Sequence, residues 1–245
     1  DNDLVIKLNS LYSNDSITSK VKWENGNTGR KIKGALGVNA EIRQSLEGIP
    51  YISAIINPDS IIHNDSLWFV SAGSIKGNLK RIEISDMNLY NKSQSIKIHG
   101  TAGKNATDVL HIDARNIEIA TIFDLINFNK LEFSGNASGK ADVTNALGKP
   151  DVKGLFNIEH FRINSCQMGT AEANLGWDSQ SKAILIDTNI IGSNGTSTVK
   201  GFLSQANDTI ELKVDADNLR IGFLNKYLKS FVSDLKGECN GKTYI

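Results

Sequence analysis

The chain nearly repeats itself after about one hundred residues, and this repeat limits its fold more than any other feature. At a shift of 102 positions, Leu110, Ile112, Ala114, Ile117 and Ile119 fall on Leu212, Val214, Ala216, Leu219 and Ile221 without a gap. Gly135, Gly139 and Lys140 then fall on Gly237, Gly241 and Lys242. Between the apolar positions, His111, Arg115 and Glu118 align with Lys213, Asp217 and Arg220. Polarity is kept there but sign is not, as on a solvated face opposite a greasy one. An earlier stretch repeats at a shift of 100: Pro50, Ile52, Ala54, Ile56, Ile61 and Asn64 match Pro150, Val152, Gly154, Phe156, Phe161 and Asn164. The units so defined span residues 50–148 and 149–245, and residues 1–49 read as the end of a preceding unit. Units of this kind bury their apolar faces by stacking on one another.

Within each unit, strict alternation predicts half-buried strands, as in Ile82-Glu83-Ile84, Ile96-Lys97-Ile98, Leu110–Ala114, Leu185-Ile186-Asp187 and Ile210–Val214. Turn residues punctuate them, including Asn25-Gly26, Gly73, Gly100, Gly103, Gly148, Gly192, Asn194-Gly195 and Gly201. The apolar spacing slips from two to three at Arg115-Asn116 and again at Asp217-Asn218. An extra residue there predicts a β-bulge or tight bend that turns the chain while keeping the apolar side inward. One stretch leaves the period of two. Leu224, Tyr227, Leu228, Phe231 and Val232 are spaced for one helical face, and Ile122, Leu125 and Ile126 begin that pattern one unit earlier. Each unit is thus expected to carry a short amphipathic helix, read as a plug at the end of an apolar interior, with a movable lid as the alternative.

Signals for chemistry are sparse. Lys plus Arg equals Asp plus Glu, 27 each, so no net field attracts nucleic acid. No segment approaches the roughly 20 apolar residues of a membrane-spanning helix. Asp1-Asn2-Asp3 is unlike a secretory signal, and the chain reads as an internal piece of something longer. His63, His99, His111 and His160 are scattered singly, with no metal-ligand spacing around them. Cys166 and Cys239 make no disulfide scaffold; Cys239 aligns with Ala137, which suggests a small buried side chain, and a bridge between the two stays open. Gly237-Glu238-Cys239-Asn240-Gly241-Lys242-Thr243 imitates a phosphate loop but has one spacer residue too few and opens no helix. Carboxylates such as Asp108, Asp113, Asp187, Asp208 and Asp215 read as a solvated face. Trp23, Trp68 and Trp177 are isolated, and Trp68 reads as core or groove lining. No enzymatic site, metal or cofactor is expected. The residues themselves leave two architectures open, a closed core and an open trough.

The segment Pro150-Asp151-Val152-Lys153-Gly154, continuing through Phe161-Arg162-Ile163-Asn164, Met168-Gly169 and Trp177-Asp178, resembles the AsmA-like, TamB-type translocation and assembly modules of Gram-negative envelopes. So does Asp208–Leu212 with Asp217-Asn218-Leu219, the short helix and Leu235-Lys236-Gly237. The Asn-, Lys-, Ser- and Ile-rich style is similar to members from the Bacteroides group. The resemblance implies an all-β, repetitive, mostly antiparallel sheet with short helices, curled into an open apolar trough (a β-taco). About 16 strands stacked about 4.8 Å apart would make that trough on the order of 75 Å long. It further implies a periplasmic part of an inner-membrane-anchored protein whose lining accommodates phospholipid or another amphiphile. An Omp85-type outer-membrane partner would be reached through regions outside this chain. The lining is expected from Leu110, Ile112, Ala114, Ile117 and Ile119 with Leu212, Val214, Ala216, Leu219 and Ile221. The helix plug or lid is expected from Ile122, Leu125 and Ile126 with Leu224, Tyr227, Leu228 and Phe231. An alternative is a scaffold that assists outer-membrane protein assembly by β-strand augmentation.

Overall fold

A computed structural model describes residues 4–13, 15–25, 32–44, 48–63, 66–125, 131–204 and 209–244. Gly26, Asn64, Ile126 and Asp208, singled out above, lie outside the described residues, and Leu125 is described in its backbone alone. The fold is all-β: 17 antiparallel strands with a few short helical turns among the described residues. No helix among them is long and apolar enough to cross a membrane. The chain divides into two compact units, residues 1–113 with 143–148 and residues 114–142 with 149–245. The boundaries fall inside the strands Val109–Glu118 and Phe133–Thr144 and, a third time, between Gly148 and Lys149, where the sequence repeat begins anew.

The first unit holds β1 (Leu4–Ser13), β2 (Ser16–Asn25), β3 (Ile32–Gln44), β4 (Pro50–Asn57), β5 (Asp59–His63), β6 (Ser66–Val70), β7 (Gly73–Asn78), β8 (Arg81–Asn91), β9 (Gln94–Gly103) and the first half of β10 (Val109–Glu118). β1, β2 and β3 form a meander. β3 then pairs with β4 along one part and β5 along another. Pro58 lies between those two strands, because proline has no N–H to continue a ladder. β4 pairs with β7, β5 with β6, and both paths rejoin at β8. Facing residues of an antiparallel pair share a face. The row Ala40, Ala54, Ile75 and Ile84 is therefore a continuous apolar strip across four strands. Ile56 and Trp68 are buried, which settles Trp68 as core.

The second unit completes β10 and adds α1 (Ile119–Leu125), β11 (Phe133–Thr144), β12 (Asp151–Ile163), β13 (Cys166–Asp178), β14 (Ala183–Ile191), β15 (Thr196–Ser204), β16 (Thr209–Arg220), a 3-10 turn at Gly222–Leu224, α2 (Asn225–Leu228) and β17 (Glu238–Tyr244). From β12 to β17 each strand pairs with the next. β12 follows in one strand the path that β4 and β5 take in two. Ile158 stands where the repeat has Pro58, so its N–H remains in the chain. The irregularity survives as a bulge between Ile158 and Phe161, with His160 at φ 53°.

The expected bulge is present in β16, and Asn116 in β10 takes the matching backbone conformation. Asn116 and Asn218 sit at φ 52° and 51°, and the β16–β17 register shifts between Ala216 and Leu219. The backbone N–H of each asparagine is satisfied by a side chain 22 positions later. Asn116 N–H donates to Ser138 Oγ at 2.9 Å, and Asn218 N–H donates to Asn240 Oδ1 at 2.8 Å. The left-handed conformation suits Asn and is costly for a β-branched residue. Asn116→Val and Asn218→Val should each lower the unfolding free energy by about 1–2 kcal/mol, and the Gly substitutions should be close to neutral. Urea unfolding monitored by circular dichroism measures both.

Candidate apolar binding face

In the second unit the ladders place the apolar residues of β13, β14, β15 and β16 in rows. Leu175, Ile186, Gly201 and Leu212 face one another in succession, as do Ala173, Thr188, Val199 and Val214. A third row runs Trp177, Ile184, Leu203 and Ile210. Apart from the buried Ala173, their side chains are half-buried: an apolar wall without full cover. The opposite face carries charge pairs across the strands beside an apolar pair, the exposed Leu185 facing Phe202. Asp187 meets Lys200 and Asp215 meets Lys242, both at 3.0 Å, and Lys213 lies over the Tyr244 ring. Such exposed pairs contribute little to stability, about 0–1 kcal/mol each. They fix which side is wet.

One end of the apolar face is closed. Ala171, fully buried, packs with Met168, Phe161, Ile190, Ala137 and Ile119, and Phe123, Phe133 and Phe223 pack against that cluster. The Phe123 and Phe133 rings are 4.7 Å apart, and Phe133 stacks on Phe161 at 6.1 Å. α1 thus seats Ile119 and Phe123 on the core. The bulge keeps this end continuous with the wall, since Ala216 faces Gly241 and Leu219, beyond the shift, faces Cys239.

The expected lining residues separate by environment. Leu110 and Ile112 are half-buried on the first unit's part of β10. In the second unit Ala114 is half-buried, whereas Ile117 and Ile119 are buried, and Ile119 opens α1 rather than continuing the strand. Leu212, Val214, Ala216, Leu219 and Ile221 are all half-buried. Among the helix residues Ile122 is exposed, and Leu224 and Leu228 are half-buried. Tyr227 is 50% and Phe231 85% exposed.

The second helical stretch is shorter than its spacing predicts. It ends at Leu228, so Phe231 and Val232 lie in a following turn. A helix this short gets its stability from packing rather than propensity, and this segment is tied down by polar bonds instead. The Asn225 side chain donates to the Gly222 and Leu235 carbonyls and accepts the Leu235 N–H. Phe223 supplies the apolar contact, a residue the periodicity passed over. The face of β13, β14 and β15 was legible only as strands in the sequence; its rows needed the register.

Polar groups gather in few places. The sequence scatters the histidines, yet the first unit brings the His99 and His111 rings to 5.3 Å, with Asp113 3.6 Å from His99. Among the described residues, no three His, Cys, Asp or Glu side chains are grouped to hold a metal. Asp108 is buried and paired with Arg81 at 3.0 Å. Cys166 and Cys239 are free thiols, both half-buried. The phosphate-loop imitation falls in β17.

Lys226 of α2 donates to Glu132 at 2.6 Å. That hydrogen bond and the lysine charge hold the Glu132 carboxyl below its ordinary value, and Glu132 in turn raises Lys226. A depressed carboxyl contributes above its unfolded pKa and loses that contribution as pH falls through the folded one. A raised lysine contributes below its unfolded pKa and loses that as pH climbs through the folded one. Once intrinsic exchange rates are corrected for pH, amide protection in 222–228 should be level across neutral pH. It should fall in acid only below the ordinary glutamate range, and Lys226→Met should abolish that acid transition.

No family model matches the chain, and neither a curated protein nor a solved structure does.

Proposed function

We propose that this chain is the lipid-accommodating part of a non-enzymatic envelope protein of the AsmA-like, TamB type. It works in the periplasm and moves phospholipid between inner and outer membranes. The observation that carries the reading is the half-buried apolar wall across β13 to β16, backed by a solvated face and free of built polar hooks. Removing a methylene from water is worth about 0.8 kcal/mol, so two 16-carbon chains gain roughly 25 kcal/mol on leaving water. A bilayer already supplies that gain. A wall of Ile, Leu, Val and Ala has only to match it, leaving a transfer free energy near zero and a lipid able to move on. An exposed strand such as β1, where Ile6, Leu8, Leu11 and Tyr12 are all more than half exposed, favours a second reading, a scaffold that receives strands of outer-membrane proteins.

The reading is tested by a photoreactive amino acid at Val214, Ile186 or Lys213, with the protein mixed with phosphatidylethanolamine–phosphatidylglycerol vesicles. Val214 and Ile186 should capture phospholipid, while Lys213 on the opposite face should not. Leu212→Asp should lower capture at Val214 by about tenfold, since a carboxylate in the wall must be desolvated when a chain covers it. Absence of phospholipid adducts at Val214 would end the lipid reading.

A further inference from the structure

We infer that His99 and His111 of the first unit form a two-imidazole binding site for a divalent zinc-type ion, with the Asp113 carboxylate orienting His99. β9 and β10 are paired strands, and the two rings stand 5.3 Å apart with 34° between their planes. A tetrahedral ion about 2.0–2.1 Å from two imidazole nitrogens holds the ring centres on the order of 5 Å apart. Ring contact alone gives similar separations, so the nitrogens decide between the two. His99 Nδ1 is covered and has no hydrogen-bond partner. The side chain is nevertheless 40% exposed, so the ring turns the edge that carries Nε2 toward solvent. Asp113 Oδ2 lies 3.6 Å from the covered Nδ1, beyond hydrogen-bond length but within reach of a small closure. A histidine that holds a metal through one nitrogen characteristically donates its other N–H to a carboxylate, which fixes the tautomer and raises the basicity of the ligating nitrogen. His99 has both halves of that arrangement, with Nε2 outward and Nδ1 backed by Asp113. The carboxylate also offsets part of the ion's charge.

The second unit shows what the sheet itself requires at this place. His99 precedes Gly100 as Lys200 precedes Gly201, and His111 aligns with Lys213. Lys200 faces Lys213 across β15 and β16, and each cation has its own partner, Asp187 and the Tyr244 ring. A solvated polar pair therefore suffices for the fold. The first unit fills the same place with two groups that can share one ion. Gly100, at φ 107°, gives the His111 ring its room, since a Cβ there would come within 3.1 Å of that ring. Two protein ligands leave the rest of the shell to water, which suits an exchangeable ion rather than a closed structural site. Imidazole selects Zn²⁺, Ni²⁺ or Cu²⁺ over Mg²⁺ and Ca²⁺. The proposal does not rest on lipid binding, and the lipid test leaves it untouched.

The probe is Zn²⁺ alone, titrated into the whole chain by isothermal calorimetry. Saturable binding of one ion per chain is expected, reversed by a chelator and not reproduced by Mg²⁺. His99→Gln and His111→Gln should each weaken it at least tenfold, and Asp113→Asn by about tenfold. His63→Gln and His160→Gln should leave it unchanged. On the unaltered chain, Zn²⁺ should shield His99 and His111 from diethylpyrocarbonate, read residue by residue by mass spectrometry, while His63 and His160 react as before. That comparison does not depend on how well any variant folds. Absence of saturable binding, undiminished binding by His99→Gln, or equal shielding of all four histidines (an adventitious ion only) would overturn the assignment. Undiminished binding by Asp113→Asn would remove the carboxylate from the site.

Discussion

In-register backbone pairing is the constraint on which every surface in either unit depends. An alternating sequence has two faces only in principle, and a slip of one residue would exchange them. The ladders hold Leu175, Ile186 and Leu212 on one side and Asp187 and Lys200 on the other. Cross-strand charge pairs then add register on the wet side, where the lysine and carboxylate would be separated by a slip. The apolar side gives no such directional cue. It is shaped instead by residue size, from the buried Ala171 and Ala173 to the larger Leu175 and Trp177.

A bulge would ordinarily break this arrangement, because one extra residue reverses the alternation beyond it. Asn116 and Asn218 absorb the extra residue in a left-handed conformation, so the apolar side chains on either side stay on one face. The two copies satisfy the freed N–H with different groups, a serine hydroxyl and an asparagine carbonyl. What the duplication has held constant is the backbone geometry and the acceptor, and the residue type supplying the acceptor has drifted. The helices show the same division between geometry and detail. α1 seats Ile119 and Phe123 on the core, whereas the second copy replaces that contact with Phe223 and a set of hydrogen bonds around Asn225.

The proposed amphiphile reading asks for such an arrangement rather than for a site that holds a substrate at a fixed point. Polar clusters occur in both units, Asp108 with Arg81 and the His99–His111 pair beside Asp113 in the first and Lys226 with Glu132 and Asn194 with Glu238 in the second, and none of these residues belongs to the apolar rows of β13 to β16. On the proposed reading, an acyl chain on those rows would meet a graded surface, buried at the aromatic cluster and half-buried toward Trp177. Hydrophobic contact is non-directional, so such a surface orients a chain along the wall without fixing its position.

The sequence by itself determined the class of fold, the repeat, the strand pattern and the bulge of β16 with its counterpart at Asn116, because each is written in local alternation and in a spacing slip that recurs after 102 residues. It also marked Leu212, Val214 and Ala216 as one apolar side. Only the tertiary structure decided which strands lie beside them, since register joins residues that are far apart in the chain. It decided likewise that Phe123, Phe133, Phe161 and Phe223 converge on one cluster, and that Phe231 does not join them despite its helical spacing. Periodicity reports that a side chain has an apolar side to bury; whether something is there to bury it against depends on where the rest of the chain has gone.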